Sequence, residues 1–212
     1  VTNGVVSFQY SAYNPSLPLV FQVGPPPALG GGPAETPGVC WAAYLGGDGE
    51  DQVYASDVDA QDNYYVSGET YSQDVNFPVE IGQVTIQATR RAFATKFNSD
   101  DGLVWSDLYG CSTWPTDQVG YALTAKTNDF PGDVLFMGGI VSGNDLYHAA
   151  PDGAWHDYEE DGPCGFVAEL DKGTGQIYWS TYFGGYGSAV YNMDIDKYGR
   201  LLLAGSNSGD LP

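Results

Sequence analysis

Basic side chains are scarce in this sequence. Its 212 residues include 7 Lys and Arg against 27 Asp and Glu, which gives a formal net charge of −20 and a pI near 4.1. A chain of this charge cannot attract nucleic acid with a basic surface, so a nucleic-acid binder of that kind is excluded. The same charge disfavours anionic membranes and polyanions, and it suits proteins that meet salt or divalent cations outside the cell.

Cysteine and long apolar runs are also scarce. The three cysteines include no Cys-x-x-Cys pair and are too few for a disulfide framework. No stretch approaches the roughly 18 uninterrupted apolar residues of a membrane helix. The sequence begins at Val1 with neither an initiator Met nor a charged and then apolar leader. We therefore expect a soluble protein that is processed or cut from something longer.

Glycine, proline and aromatic residues are plentiful instead. The 29 glycines and 13 prolines interrupt the chain so often that a helix of about 11 residues finds few places to form. Hydrophobic residues make up 42% of the sequence and aromatic residues 14%, which is enough for a sizeable core. This composition predicts a folded, all-β chain.

Three segments repeat one another around a tryptophan and a glycine. Residues 40–47 match 178–185, and 104–111 form a looser third copy. A further element links 92–97 with 165–170. The downstream register also holds, since Tyr54, Val58, Asp59 and Gly68 correspond to Tyr191, Ile195, Asp196 and Gly205. Elements that recur in the same order indicate a repeat architecture.

Each repeat has the pattern of four short strands joined by turns. A Trp strand ends in the glycine pair, and a second strand ends in Val-Asp or Ile-Asp. A Tyr- or Leu-rich strand ends at Gly68, Gly138 or Gly205, and a Phe strand is centred on Phe93 or Phe166. Repeated units of four antiparallel strands are the blade pattern of a β-propeller. The tryptophans recur after 64 and 74 residues, so the residues beyond the usual repeat of about 40 to 50 are expected in loops.

The repeats account for only part of a closed propeller. From Cys40 onward the pattern contains about eleven strands, or about 2.75 four-stranded blades, whereas propellers close with roughly 4 to 8. The sequence therefore predicts an incomplete β-propeller over residues 40–212. Residues 1–39 are expected to form a short β leader and a linker rich in Pro and Gly, the linker running from Gly24 to Gly38.

Several segments resemble one known repeat. They are Ala43-Tyr44-Leu45-Gly46-Gly47, Val58-Asp59, Tyr65-Val66-Ser67-Gly68, Asn76-Phe77-Pro78 and Phe166-Val167-Ala168-Glu169-Leu170. These motifs are similar to the SBBP β-propeller repeat of secreted bacterial proteins, and residues 180–185 are the closest copy. The second unit departs from the pattern, because Thr124 and Lys126 stand where the other copies have Asp. The resemblance implies a propeller outside the cell or on its surface; the family has no settled activity to carry over.

One long loop carries the residues best suited to a ligand. Alternation of the strands places the loop after Gly68 and the loop 141–164 on the same face as the glycine-pair loops. Loops of more than about 15 residues in a compact fold are usually functional or disordered. The candidate ligand-binding residues are Tyr147, Trp155, His156, Tyr158 and Glu159. Their rings could stack on sugars beside hydrogen-bonding carboxylates, or Trp155 and Tyr158 could instead pin the loop to a neighbouring blade.

Paired acids at the strand ends suggest calcium. The candidate ligands are Asp57, Asp59, Asp62, Asp194 and Asp196. Carboxylate oxygens are the ligands that calcium prefers, but neither run has the full spacing of a calcium loop. The alternative is that these acids cap turns through hydrogen bonds to their own backbone. No other cofactor is expected.

Cys111 follows one Trp strand and Cys164 precedes the next Phe strand, so they lie in adjacent blades of the pattern and could form a disulfide bridge if their Cα atoms come within about 7 Å. Glu159, Glu160 and Asp161 could supply an acid and a base for glycoside cleavage, or could simply be solvated.

The sequence favours a non-catalytic extracellular scaffold for adhesion, assembly, or glycan or protein binding. Its expected partners are the rest of the same polypeptide, neighbouring subunits, a glycan or a surface protein. The alternatives are a carbohydrate-active enzyme and a structural subunit of an extracellular assembly.

Overall fold

The computed structural model describes residues 19–24, 38–72, 77, 90–100, 102–109, 117–126, 134–143 and 163–207, with the backbone alone at 19–24, 38–43, 117 and 126. In this part of the chain there are twelve strands and no helix, and hence no helix that could span a membrane. The strands are β1 (Leu19–Gly24), β2 (Gly38–Tyr44), β3 (Asp51–Val58), β4 (Tyr64–Thr70), β5 (Arg91–Phe97), β6 (Leu103–Tyr109), β7 (Asp117–Lys126), β8 (Val134–Ser142), β9 (Cys164–Leu170), β10 (Ile177–Phe183), β11 (Ala189–Ile195) and β12 (Leu201–Ser206).

These strands form antiparallel sheets of sequential neighbours. Sheet 1 contains β3, β4, β5 and β6 in that order, and sheet 2 contains β7, β8, β9 and β10. The remaining strands form two-stranded pairs, the N-terminal pair β1–β2 and the C-terminal pair β11–β12. The predicted all-β fold with four-stranded antiparallel units is therefore confirmed, and β2 to β12 supply the eleven strands that the repeat pattern contains.

The hydrogen-bonded sheets begin one strand later than the sequence repeat. Trp105 lies in β6 and Trp179 in β10, which are the last strands of sheets 1 and 2. A repeat counted from its tryptophan therefore starts with the last strand of the preceding sheet. The expected leader contributes β1, which pairs with β2, and the boundary expected at residue 40 lies inside β2.

Most residues of the central strands β4, β5 and β9 are buried, because sheet 1 packs against sheet 2. In the cluster between these two sheets, Tyr65 and Trp105 of sheet 1 and Met137 and Phe166 of sheet 2 are each at most 1% exposed. Full burial of such side chains contributes roughly 1.5 to 3 kcal/mol each. A second cluster, which contains Val167, joins sheet 2 to the C-terminal pair. The first strands of the three units lie together, since β7 contacts both β3 and β11.

Candidate functional site

A β-bulge occurs at the same place in the first strand of each unit. The register shifts between Val53 and Ala55 in β3, between Gly120 and Ala122 in β7, and between Val190 and Asn192 in β11. A bulge leaves one extra residue unpaired and redirects its side chain. The unpaired residue is a tyrosine each time: Tyr54, Tyr121 and Tyr191.

Glycine on the neighbouring strand makes room for each bulge. A Cβ atom at Gly68 would lie 1.8 Å from the carbonyl oxygen of Gln52, and one at Gly139 would lie 1.7 Å from that of Val119. At Gly205 the distance to the carbonyl oxygen of Ala189 would be 1.9 Å. Only glycine allows a backbone approach this close. The counterpart of Gly68 is therefore Gly139, one residue beyond the Gly138 expected from the sequence.

The three bulge tyrosines form a continuous row, which we call the tyrosine row. The ring centroids of Tyr54 and Tyr121 are 5.1 Å apart, and those of Tyr121 and Tyr191 are 5.4 Å apart. The rings are tilted by 59° and 55°, a favourable arrangement for aromatic pairs. Tyr54 is 42% exposed and Tyr191 is 54% exposed. Three aromatic side chains thus contact one another while the outer two present much of their surface to solvent.

A carboxylate and a guanidinium lie at one end of the row. The Tyr54 hydroxyl donates a hydrogen bond of 2.8 Å to Glu69 Oε1, and Arg90 Nη1 lies 3.3 Å from Glu69 Oε2. Burial and the hydrogen bond to Glu69 raise the pKa of Tyr54, so its hydroxyl keeps its proton as a donor. Burial also raises the pKa of Tyr121, with Arg90 acting in the opposite direction. The site therefore combines aromatic surface with hydrogen-bond donors and acceptors.

The sequence contains a signal for this row that the search for acidic and aromatic clusters missed. Tyr54 and Tyr121 stand three residues before Asp57 and Thr124, and Tyr191 stands three residues before Asp194. The correspondence of Tyr54 with Tyr191 is visible from the repeat, whereas Tyr121 lies in the degenerate second unit. Strand alternation alone cannot place these rings together, because the bulge breaks the alternation at these residues.

Among the predicted calcium ligands, Asp59 caps the turn between β3 and β4. Its carboxylate accepts hydrogen bonds from the backbone of Gln61 at 2.9 Å and of Asn63 at 3.0 Å, and from the Tyr65 hydroxyl at 2.9 Å. Burial alone would raise its pKa, but the hydrogen bonds from Asn63 and Tyr65 lower it. Asp62 occupies the left-handed position of this turn, with φ at 58°. Both residues act in the turn.

Asp196 repeats this arrangement between β11 and β12. It accepts hydrogen bonds of 2.9 Å from the backbone of both Tyr198 and Arg200, and it pairs with the Arg200 guanidinium at 2.6 Å. The hydrogen bonds from Arg200 lower its pKa. Turn capping, the alternative to calcium, is therefore what the structure shows at Asp59 and Asp196.

Asp57 and Asp194 accept hydrogen bonds from different parts of the fold. Asp57 Oδ2 accepts a 2.8 Å hydrogen bond from the backbone of Ala125, which joins β3 to β7. Asp194 is exposed, and its Oδ1 accepts a hydrogen bond of 2.7 Å from the backbone of Ile195. Among the described residues no group of three or more His, Cys, Asp or Glu side chains is placed to hold a metal ion.

The turn between β9 and β10 locks sheet 2 onto sheet 1. The carbonyl oxygen of Lys172 accepts hydrogen bonds of 3.0 Å from Trp105 Nε1 and from Lys96 Nζ. The Tyr109 hydroxyl donates to the carbonyl oxygen of Gly175 at 2.7 Å. The Lys172 ammonium lies 3.4 Å from Asp59, with both side chains buried. We call this set of contacts the inter-sheet latch, and Trp105 takes part in it from the last strand of sheet 1.

Asp107 is buried between Trp105 and Tyr109 on the strand that carries them. Its side chain is 1% exposed. Oδ1 accepts a 2.8 Å hydrogen bond from the backbone of Leu108, while Oδ2 has no hydrogen-bond partner among the described residues. Burial raises the pKa of Asp107 to about 7. This carboxyl group lies inside the packed sheets and away from the tyrosine row.

The glycine-pair loop before β3 is tied to the start of the long loop after β4. The buried Asp51 carboxylate accepts hydrogen bonds from Gly47 N at 2.9 Å and from Ser72 Oγ at 3.0 Å. Ser72 Oγ also accepts a hydrogen bond of 2.9 Å from Gly49 N. Because the strands are antiparallel, the described bases of these two loops lie at the same end of the sheets as Gly143 and Pro163. We call it the long-loop end.

The remaining predicted site residues lie outside the part of the chain that the structure describes. They are Tyr147, Trp155, His156, Tyr158, Glu159 and Cys111. Cys164 is buried at the start of β9, and its bridge to Cys111 stays a prediction. The loop that carries the five ligand candidates begins and ends at described residues: Gly143 O accepts a hydrogen bond from the Tyr182 hydroxyl, and Pro163 O accepts one from Gly187 N, both at 2.7 Å.

Comparisons with known proteins add no relative to this description. No family model matches the chain, and no curated protein sequence matches it.

Proposed function

We propose that this chain is a rigid, non-catalytic β-propeller scaffold of the SBBP type that acts outside the cell or on its surface. It binds a neutral polysaccharide at the long-loop end through the tyrosine row and the loop that carries Trp155. The net charge of −20 makes a polyanionic ligand unfavourable, so an uncharged glycan is the ligand class we favour.

The tyrosine row is the observation that carries this proposal. Sugar rings present apolar C–H faces that pack on aromatic rings, and their hydroxyls need hydrogen-bond partners. Tyr54 and Tyr191 offer exposed rings on either side of Tyr121, and the partly exposed Arg90 supplies a donor at one end, while the buried Glu69 carboxylate orients both Tyr54 and Arg90. Centroid spacings of 5.1 and 5.4 Å give a row along which successive sugar units of a polymer can lie.

Radial stacking of the sheets would place this row around the propeller axis. In a propeller the first strand of each blade is the innermost, and the first strands β3, β7 and β11 lie next to one another here. The face-to-face clusters between successive units have the composition expected of neighbouring blades. A row of side chains from equivalent strands would then line one end of the central channel.

A scaffold role fits the way the buried polar groups are used. Asp57 and Asp59, together with Lys172, connect neighbouring units through the hydrogen bonds and the ion pair described above. Groups engaged in this way hold the sheets in one arrangement and keep the tyrosine row preorganised, which lowers the entropic cost of binding.

Binding to insoluble and soluble neutral polysaccharides tests the proposal. Tyr191→Ala should weaken binding about tenfold, because one aromatic stacking contact contributes about 1 to 1.5 kcal/mol. Trp155→Ala should weaken it similarly. Tyr198→Ala is the matched control, since Tyr198 is 65% exposed but lies in a short turn at the opposite end of the sheets.

Equal binding by Tyr191→Ala and Tyr198→Ala would remove the tyrosine row from the ligand site. Unchanged binding by Trp155→Ala would show that the loop that carries Trp155 is not part of the ligand site. If the protein released soluble sugar from the same polysaccharides and Glu159→Gln abolished this release, the chain would be a carbohydrate-active enzyme that uses the loop acids and not a non-catalytic scaffold.

A further inference from the structure

The C-terminal pair presents an open edge among the described residues. In sheets 1 and 2 the second strand is paired on both sides, with β5 added to β4 and β9 added to β8. Among the strands that the structure describes, the equivalent strand β12 is paired with β11 alone. An unpaired strand edge exposes N–H and C=O groups that can pair with a further strand.

A groove lies over this edge where the complete sheets have a phenylalanine. A Cβ atom on Gly68 would lie 3.0 Å from Cε1 of Phe93, and one on Gly139 would lie 3.1 Å from Cε1 of Phe166. Each ring thus lies directly over its glycine. Around Gly205, the third glycine of the set, the structure instead has a groove of about 220 Å³ whose lining includes Phe183.

The apolar surface beside this groove is only half covered. Trp179 and Phe183 of β10 are half-buried, whereas their counterparts Trp105 and Tyr109 of β6 are 1% and 3% exposed. The difference follows from what covers them, because the turn between the third and fourth strands of sheet 2 contacts Trp105 and Tyr109 through Lys172 and Gly175. The groove continues the cluster between sheet 2 and the C-terminal pair, since Phe183, Val190 and Leu203 belong to both.

The N-terminal pair β1–β2 has the same register as the third and fourth strands of a complete sheet. These are the strands that are missing beside β12 in the described part of the chain. Trp41 of β2 is opposite Gln22, as Trp105 is opposite Lys96 and Trp179 is opposite Glu169. In all three pairs the register shifts immediately beyond this position. The pair β1–β2 therefore corresponds to the third and fourth strands of a sheet, and the pair β11–β12 corresponds to the first and second.

We propose that β1 of a second copy of this chain pairs with the open edge of β12, so that the two pairs complete one four-stranded sheet. By the register of sheets 1 and 2, where Gly68 faces Phe93 and Gly139 faces Phe166, Leu19 of the second copy lies opposite Gly205. Leu19 then takes the register position of the two phenylalanines at the groove, and Val20 lies opposite Ala204.

The number of strands selects a dimer, given the propeller arrangement proposed above. The twelve strands of the described residues amount to three four-stranded sheets in each copy, which is fewer than the roughly 4 to 8 blades with which propellers close. Two copies related by a two-fold axis share two such composite sheets and close a ring of about six, within that range. Pairing within one chain would instead require a three-bladed ring.

The mass of the 212-residue chain in solution is the first test. Light scattering at micromolar concentration should give twice the 22.7 kDa of one chain. A monomer would overturn the proposal. The emission of Trp179 should shift to shorter wavelength as the dimer forms, because the completed sheet covers its indole; the Trp179→Phe variant identifies this contribution.

Cysteine pairs test the register. Ala204→Cys combined with Val20→Cys should form covalent dimers on oxidation, since directly opposite residues bring Cβ atoms within about 4.5 to 5.5 Å. Ala204→Cys combined with Phe21→Cys, one residue out of register, should form several-fold fewer, and Ala204→Cys alone gives the background from the native cysteines. Equal cross-linking by both pairs would overturn the strand pairing. Retained polysaccharide binding by a monomeric chain would refute the dimer while leaving the proposed function in place.

Discussion

Replacing Asp107 by Asn should stabilise the protein above neutral pH. The carboxyl group is 1% exposed, and its Oδ2 has no hydrogen-bond partner among the described residues. Burial without a compensating donor penalises the charged form, so the pKa rises from its ordinary 3.8 to about 7. Asparagine has the same shape, carries no charge, and can still accept the hydrogen bond from the backbone of Leu108 through Oδ1.

The magnitude follows from the pKa of Asp107 in the folded and unfolded chain. Because the folded pKa is the higher one, ionisation is easier in the unfolded state. The stability associated with the neutral carboxyl is fully present below the unfolded pKa of 3.8 and is lost as the pH rises towards 7. At about 1.4 kcal/mol for each pH unit between the two values, the loss amounts to about 4 kcal/mol above pH 7.

Urea denaturation of both proteins from pH 4 to pH 8 measures this difference. Near pH 4 the free energies of unfolding should nearly coincide, because the native carboxyl is protonated. The gap should then widen in favour of Asp107→Asn until about pH 7 and stay constant above it. Groups with lowered pKa, such as Asp59 and Asp196, lose their contribution as the pH falls below 3.8, and they do so in both proteins. A free-energy difference that does not change with pH would refute the reasoning.

Two matched pairs of variants test the inter-sheet latch. Trp105→Phe should lower the free energy of unfolding by about 2 kcal/mol, because it removes a buried hydrogen bond and leaves a gap. Trp179→Phe, at a half-buried position, should lower it clearly less. Equal losses of free energy in the two variants would contradict the latch. Asp59→Ala should cost about 3 kcal/mol or more, since it leaves the buried Lys172 ammonium without its carboxylate. Asp194→Ala, at an exposed position, should stay within about 0.5 kcal/mol, and similar values for both variants in urea denaturation would show that the ion pair contributes little.

The four-stranded units were predictable because their signals are local. Alternation in Phe93, Thr95 and Phe97 and the turn residues that follow define a strand and its end within a few positions. The repeat then extends each assignment to the next copy. Turn capping at Asp59 was likewise one of two interpretations that the sequence allowed, and the hydrogen bonds show the capped turn, while calcium binding stays a prediction.

The latch and the tyrosine row were not predictable in the same way. Lys172 meets Asp59 only because a hairpin turn of one unit packs over the sheet of another, and no spacing along the chain encodes that contact. Tyr121 was hidden for a different reason: a bulge adds one residue, and the degenerate second unit has lost the acids that mark the register. Strand alternation therefore placed the sheets correctly but could not orient these side chains.

The anchored bases of the loop between Gly143 and Pro163 have a practical consequence. Gly143 is held by the Tyr182 hydroxyl of β10, and Pro163 is held by Gly187 in the connection between β10 and β11. A foreign peptide exchanged for the residues between Gly143 and Pro163 would begin and end at backbone positions that hydrogen bonds hold in place. The short Asp-capped turns lie at the opposite end of the sheets, so the exchange should leave them unchanged. The protein is therefore suited to loop grafting, with the sequence of one loop changed and the Asp-capped turns at the other end of the sheets left intact.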